Sequence, residues 1–271
     1  MSFVLIEPAD DHGVAVLTLN RPERLNALSP TLASDLAGAL QDLFHRREVR
    51  AVVLAAAGRG FCSGFDLASR AEGDLAPDSD QRGPVGSFWV LQQHLSDLVT
   101  LIHESRVPVI GAIQGAAVGG GLAIALACDL RVAAPDVRFG SVFVKVGLSS
   151  CDMGVSDFLP RVVGATRAAE LLLTGRLVGA EEAERIGLVN QVSAPGGHVA
   201  AAVALAQQVT QHSEFSVWMT KSGMWTNIDA PSLRAAIELE NRTQALGTFT
   251  GNLDEYEAAF VEKRPPRWKP M

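Results

Sequence analysis

Two apolar runs of strand length each break into a glycine-rich loop and then into a helix. Ala51-Val-Val-Leu-Ala-Ala-Ala57 gives way to Gly58-Arg-Gly-Phe-Cys-Ser-Gly-Phe-Asp-Leu67, and Pro108-Val-Ile-Gly-Ala-Ile113 to Gln114-Gly-Ala-Ala-Val-Gly-Gly-Gly121. A run without polar alternation suits a strand buried on both faces of a parallel sheet. Open α/β sheets place ligands at the carboxyl ends of their strands, so both loops are expected at one edge and can face one site. Loops stripped of side chains admit a ligand to backbone N–H groups, and a helix starting between Gly119 and Leu122 adds its positive dipole end. Two convergent N–H donors make an oxyanion hole, which stabilises an ester or thioester carbonyl oxygen as it turns negative by about 3–4 kcal/mol per donor. For one such loop alone, close helix–strand packing is the favoured explanation of the glycines; two in succession shift the balance.

Around these loops the βα alternation repeats. Val14 to Leu19 reads as a strand ended by Asn20-Arg21-Pro22, and Ser29-Pro30 opens a helix carrying Leu32, Leu36, Leu40 and Leu43 to about Arg46. Phe88 to Ser105 is a second helix, Leu122 to Ala127 a third, and Asp129 to Ala134 a further strand. An irregular stretch to Met153 precedes short helices at Val155 to Leu159 and Arg167 to Leu173; helix then dominates at 181–186, 198–212, 217–224 and 231–246, before a basic, proline-rich tail from Glu262. The division expected is an α/β core over 1–195 and a helical region over 196–271.

Composition closes several possibilities. With 48% hydrophobic and 20% charged residues over 271 positions, a disordered or fibrous chain is excluded. The longest apolar run, Ala112 to Ala127, is interrupted by Gln114 and glycines, so no membrane span is expected. MSFVLIEPAD lacks the marks of a secretory signal, and Cys62, Cys128 and Cys151 show no metal or disulfide spacing; a cytoplasmic protein with cysteines as small hydrophobes is expected. A net charge of −7 disfavours nucleic acid as a partner. The glycine spacing fits neither a dinucleotide nor a P-loop fingerprint, and no GxSxG elbow is present.

Arg21-Pro-Glu-Arg-Leu-Asn-Ala-Leu28, Gly60-Phe-Cys-Ser-Gly-Phe-Asp-Leu67, Gln114-Gly-Ala-Ala-Val-Gly-Gly-Gly-Leu122 and Cys128-Asp-Leu-Arg-Val-Ala133 resemble, in order and spacing, the successive signatures of the enoyl-CoA hydratase/isomerase (crotonase) superfamily. Thr174-Gly-Arg176, Ala183-Glu-Arg-Ile-Gly-Leu-Val-Asn190 and Phe260-Val-Glu-Lys-Arg264 extend the resemblance over nearly the whole chain. It implies a crotonase-like α/β spiral of ββα units, a helical C-terminal trimerisation region, a homotrimer or a hexamer built as a dimer of trimers, and a substrate carried as a coenzyme A thioester with no permanently bound cofactor or metal. It also implies the N–H groups of Phe65 and Gly120 as oxyanion donors. Arg24, Leu25, Ala27, Ser63, Asp66 and Leu67 fall at CoA-contacting positions, and Phe260 and Lys263 where a neighbouring subunit reaches the nucleotide.

The pattern departs where hydratases carry two glutamates. Three residues after the middle glycine of Gly119-Gly120-Gly121 stands Ala123, and four after Phe139 stands Phe143, followed by Val144. An apolar pair cannot activate water. Downstream, Asp152 in Gly147-Leu-Ser-Ser-Cys-Asp-Met-Gly154 falls in the loop where family isomerases carry an aspartate, which makes it the remaining acid/base candidate; capping the helix at Val155 is its competing role. Double-bond isomerisation is therefore favoured over hydration, and a non-catalytic acyl-CoA binder is the alternative. Asp66 reads as a cap or loop brace before a catalyst, Asp129 and Arg131 as a structural pair, His94 and His103 as packing residues, and Glu72, Asp74, Asp78 and Asp80 as solvated surface acids.

Overall fold

Both apolar runs form parallel strands with helices on their two faces. A computed structural model describes residues 2–69, 71–79 and 82–271. In chain order its elements are β1 (Val4–Glu7), β2 (Val14–Leu19), α1 (Pro30–His45), β3 (Ala51–Ala56), α2 (Pro84–Glu104), β4 (Val109–Ile113), β5 (Ala116–Val118), α3 (Gly120–Ala127), β6 (Leu130–Ala133) and β7 (Arg138–Gly140). There follow α4 (Val155–Val163), α5 (Ala165–Thr174), β8 (Val178–Gly179), α6 (Ala180–Arg185), β9 (Gln191–Val192), α7 (His198–Thr210), α8 (Glu214–Ile228), α9 (Leu233–Thr248) and α10 (Asn252–Glu262), with 3₁₀ turns at Pro22–Arg24 and Val142–Val146.

Among the described residues the main sheet runs β1-β2-β3-β4-β6-β9, parallel except for β1, and β5-β7-β8 form a smaller sheet. Alternate residues of the apolar strands enter two separate cores. Leu17, Leu19, Val52 and Leu54 face a large core shared with α1, α2 and α3, whereas Val14, Val16, Val53, Ile110 and Val132 face a smaller one closed by Ala202 and Ala206 of α7. Two alanines one turn apart let α7 lie close against the sheet. This helix, assigned from sequence to the C-terminal helical region, thus covers the second face of the sheet.

Ser29 caps α1 as its sequence context requires, its Oγ accepting from the Leu32 N–H at 3.3 Å. Three expectations change. Helix α2 begins at Pro84, four residues before the apolar periodicity starts, because proline suits a first turn whose N–H groups have no partner in the helix. Helix α10 was not legible, and β5, β7, β8 and β9, at two or three residues each, are too short to carry a period. Asp129 does not pair with Arg131. Its Oδ2 accepts from the Val109 N–H at 2.8 Å and pairs with Lys221 of α8 at 2.9 Å, while Arg131 donates to the carbonyls of Leu188 (2.8 Å) and Cys128 (2.6 Å). Residues two apart on a strand share a face, but here each is consumed by a different neighbouring element.

The Lys221–Asp129 pair ties α8 to the core, with Lys221 Nζ also donating to Ile102 O and Ser105 Oγ. Burial pushes the Asp129 carboxyl up, against the pull of Lys221 and of the Val109 N–H. Among the described residues no helix is long and apolar enough to cross a membrane. Removing one partner strands a buried charge, so Lys221→Met is expected to cost about 3–5 kcal/mol in urea denaturation, and combining it with Asp129→Leu to recover most of that loss.

Candidate active site

The segment 21–28 is folded back on the first glycine loop by a fully buried asparagine. Leu25 and Asn26 take positive φ (52° each), a conformation asparagine tolerates better than most residues. The Asn26 side chain accepts from the Arg21 N–H at 2.8 Å and donates to Ala57 O (2.9 Å) and Gly60 O (2.8 Å). Arg21, itself buried, pairs with Asp66 at 2.7 Å and donates to Ala27 O at 3.2 Å. Asp66 also accepts from the Ala68 N–H at 3.0 Å. Burial disfavours the charged form of Asp66, but the bonds from Arg21 and Ala68 outweigh it and hold the carboxyl below its usual value. Its carboxylate is thus engaged in bracing the loop.

The two glycine loops meet through backbone pairing. Cys62 N–H donates to Ala116 O at 2.9 Å and Val118 N–H to Cys62 O at 3.1 Å, while on its other side the loop bridges Leu28: Leu28 N–H donates to Gly64 O (2.7 Å) and Asp66 N–H to Leu28 O (2.8 Å). The consequence lies in the Gly64–Phe65 peptide. Its carbonyl points at Leu28, so in a trans peptide the Phe65 N–H points the opposite way. The Gly119–Gly120 peptide is oriented likewise, since Gly119 O accepts from the Ala123 N–H at 3.1 Å along α3 and the Gly120 N–H therefore points out of the helix N-terminus. Among the described residues, neither N–H has an acceptor.

These peptides stand against one another. A Cβ placed on Gly64, at φ +91°, would lie 3.0 Å from Val118 O and 3.6 Å from Gly120 N; one on Gly121 would lie 2.2 Å from Cys62 O. Only glycine allows this approach. Two free N–H donors on facing peptides, one at a helix N-terminus, can share a developing negative oxygen.

Ala123 is fully buried and Phe143 half-buried, with its ring 3.8 Å from where a Cβ on Gly119 would sit, so both positions expected to be apolar are packed beside the Gly119–Gly120 peptide and the helix it starts. Met153 also lines this peptide, its Sδ 3.3 Å from a Cβ position on Gly120, and it adopts φ +45° immediately before Gly154 at +79°. A left-handed methionine is unusual, and nothing in the local sequence marks it beyond the glycine that follows. Asp152 does not cap α4: Gly154 occupies the N-cap, and the Asp152 side chain instead accepts from Gln92 Nε2 of α2 at 2.6 Å. Its backbone oxygen accepts from the Val155 N–H at 2.9 Å, so the main chain makes the contact expected of the side chain.

The remaining residues fall as follows. Arg24 is exposed and pairs with Glu72 at 2.7 Å. Leu25 O accepts from the Ser63 N–H at 3.1 Å, Ala27 is buried and Leu67 exposed. Asp74 accepts from the N–H and Oγ1 of Thr31 in the first turn of α1, at 3.1 and 2.8 Å. Glu72 and Asp78 are exposed, as expected of surface acids, Asp74 is half-buried against α1, and Asp80 lies outside the described residues. His94 contacts Ser34 Oγ and Pro30 O, and His103 is boxed between Phe158 and Trp225 at centroid distances of 4.9 and 4.7 Å. Burial pushes the Cys62 and Cys128 thiols up to about 12, while Cys151 is exposed, against expectation. Phe260 and Lys263 are exposed at the end of α10.

An enoyl-CoA hydratase/isomerase family model matches residues 9–270. The chain belongs to the enoyl-CoA hydratase/isomerase family. It is 37% identical over 267 residues to a probable enoyl-CoA hydratase of Mycobacterium bovis, covering 98% of this chain and 92% of the relative. It is 33% identical over 268 residues to the 1,2-epoxyphenylacetyl-CoA isomerase of Escherichia coli K12, covering 99% and 98%. A probable enoyl-CoA hydratase/isomerase from Mycobacterium abscessus, known from its crystal structure, superimposes with a TM-score of 0.91 at 36% identity, with 100% of both chains covered. The architecture is accordingly the crotonase fold.

Because the Asp66 carboxyl is lowered in the folded chain, the stability it adds is present above its usual value near 3.8 and is lost as pH falls through the lowered one. Asp66→Asn should therefore be less stable than the native chain near neutrality and should lose less between about pH 5 and pH 2, as read from denaturation midpoints.

Proposed function

We propose that this family member binds an acyl-CoA thioester, stabilises its enolate between the N–H groups of Phe65 and Gly120, and moves a carbon–carbon double bond with Asp152 as the proton carrier. The observation that carries the reading is the pairing of two acceptor-free N–H groups with an apolar Ala123 and Phe143 where hydratases of the family carry glutamates. Polarising the thioester carbonyl acidifies the adjacent C–H. A carboxylate then removes that proton, the electron pair goes to the oxygen held by the two N–H groups, and the proton returns two carbons away. One carboxylate performs both steps and ends as it began.

Coenzyme A recognition is assigned to the segments carrying Arg24, Leu25, Ala27, Ser63, Asp66 and Leu67, where the Asp66 carboxylate acts by bracing the loop through Arg21, with Phe260 and Lys263 contributed from a neighbouring subunit. Assembly as a trimer or as a dimer of trimers is supported by the C-terminal helices. Helix α9 has no buried residue, Leu233, Phe249 and Phe260 are at least 73% exposed, and a groove of about 960 Å³ runs between α8, α9 and α10. A second copy would cover this surface, and local positive charge at Lys263 would let an acidic protein hold an anionic ligand.

The test is mass-spectrometric product analysis with 3-enoyl- and 2-enoyl-CoA substrates. The expected result is isomerisation without gain of water, with Asp152→Asn lowering turnover by at least about 100-fold and leaving acyl-CoA affinity nearly unchanged. Rapid hydration of crotonyl-CoA would overturn the reading. Binding across an acyl-CoA panel without turnover would favour a non-catalytic binder, for which the loss of both glutamates is the motivating observation.

A further inference from the structure

The Asp152 carboxylate has one hydrogen-bond partner among the described residues, and it comes from a different element. Gln92, half-buried near the middle of α2, donates from Nε2 to Asp152 Oδ1 at 2.6 Å; Oδ2 has no partner. Two helical turns further along the same face of α2, Val99 lies 3.5 Å from where a Cβ on Gly154 would sit. The turn formed by Asp152, Met153 and Gly154 is therefore seated on α2 at two points.

The two contacts differ in what they hold. The backbone of the turn is already fixed without Gln92, by the bond from Val155 N–H to Asp152 O at 2.9 Å, the bond from Cys151 N–H to Ser149 Oγ at 3.1 Å, the burial of Met153 against Gly120, and the packing of Val99 and Phe158 on Gly154. Among the described residues the Gln92 amide makes its one hydrogen bond to the carboxylate. An aspartate on a surface turn samples several rotamers, and a donor from a rigid helix selects one.

We propose that Gln92 is a positioning residue for the reaction assigned to Asp152, engaging Oδ1 so that Oδ2 alone takes the proton from the acyl carbon and gives it back. The proposal rests on the isomerase reading above. A neutral amide donor suits this task better than lysine or arginine, because it orients the carboxylate without forming an ion pair that would weaken it as a base. When Oδ2 takes the proton, the C–H electron pair passes to the enolate oxygen; when it releases the proton at the distal carbon, the carboxylate and its bond to Gln92 are restored. Gln92 itself exchanges no proton.

The experiment uses the full chain and the conversion of a 3-enoyl-CoA to the conjugated 2-enoyl-CoA, followed by ultraviolet absorbance and mass. Gln92→Met keeps the side chain's length and removes the donor. It is expected to lower kcat about tenfold while KM changes less than about twofold and the melting temperature stays within about 2 °C of the native value. In the Asp152→Asn background the same substitution should cause no further loss, since it acts through the missing carboxylate. A matching fall in melting temperature, a rise in KM at constant kcat, or an additive loss in the double variant would overturn the proposal. If Asp152→Asn lowers turnover and Gln92→Met is silent, the positioning role alone fails; if Asp152→Asn retains full turnover, the base assignment falls and the role of Gln92 with it.

Discussion

The bridge between Leu28 and Phe65 is the contact on which the site's geometry depends. It turns one peptide so that its carbonyl is satisfied internally and its N–H is left over. Among the described residues no side chain accepts from this donor, which belongs to the main chain whatever side chain stands at position 65. The buried Asn26 secures the same relation from behind, joining the segment that carries Leu28 to both ends of the first stretch of glycine loop. Each bond is worth only about 1 kcal/mol net, yet an unmade partner in this buried setting costs more, so the arrangement resists local opening. The second N–H needs less machinery, because starting a helix at Gly120 leaves its first N–H groups without partners in any case.

That division explains how much could be read in advance. The strands, the Ser29 cap and the two glycine loops are local signals, and local signals survive folding: apolar runs, a serine before proline, glycines where backbones must touch. What escaped depends on residues distant in sequence. Asp129 was paired with its strand neighbour because the sequence brings Arg131 near it, whereas α8 supplies Lys221 from 92 positions away. Of the two roles the sequence leaves open for Asp152, the helix cap rests on its lying three residues before α4, but Gly154 takes that place and the carboxylate turns to α2. Glu72 and Asp74 sit in a segment with no periodicity, so nothing announced that one would hold Arg24 and the other the first turn of α1. The left-handed Met153 likewise has no local signature beyond the glycine that follows it.

The C-terminal helices follow a different logic from the core. The sheet and the helices on it bury their apolar faces within one chain, and the buried Lys221 anchors α8 to this body. Beyond that anchor, α9 and α10 keep most of their apolar residues at the surface. Single exposed leucines are ordinary, but a run of them on consecutive helices around one groove is not. The periodicity that makes α9 legible in the sequence thus marks an apolar face that this chain leaves exposed.

On the proposed chemistry, the two missing glutamates change which fate of the same enolate is open. Adding water across a double bond requires that the water be held and deprotonated, and an ordered water needs two to four polar partners. Ala123 and Phe143 provide none. Moving a proton from one carbon to another makes no such demand: it needs the oxygen of the enolate held, which backbone groups do, and one carboxylate within reach of both carbons. On that proposal, the apolar residues at 123 and 143 narrow the chemistry to the one step that a backbone site and a single aspartate can carry out together.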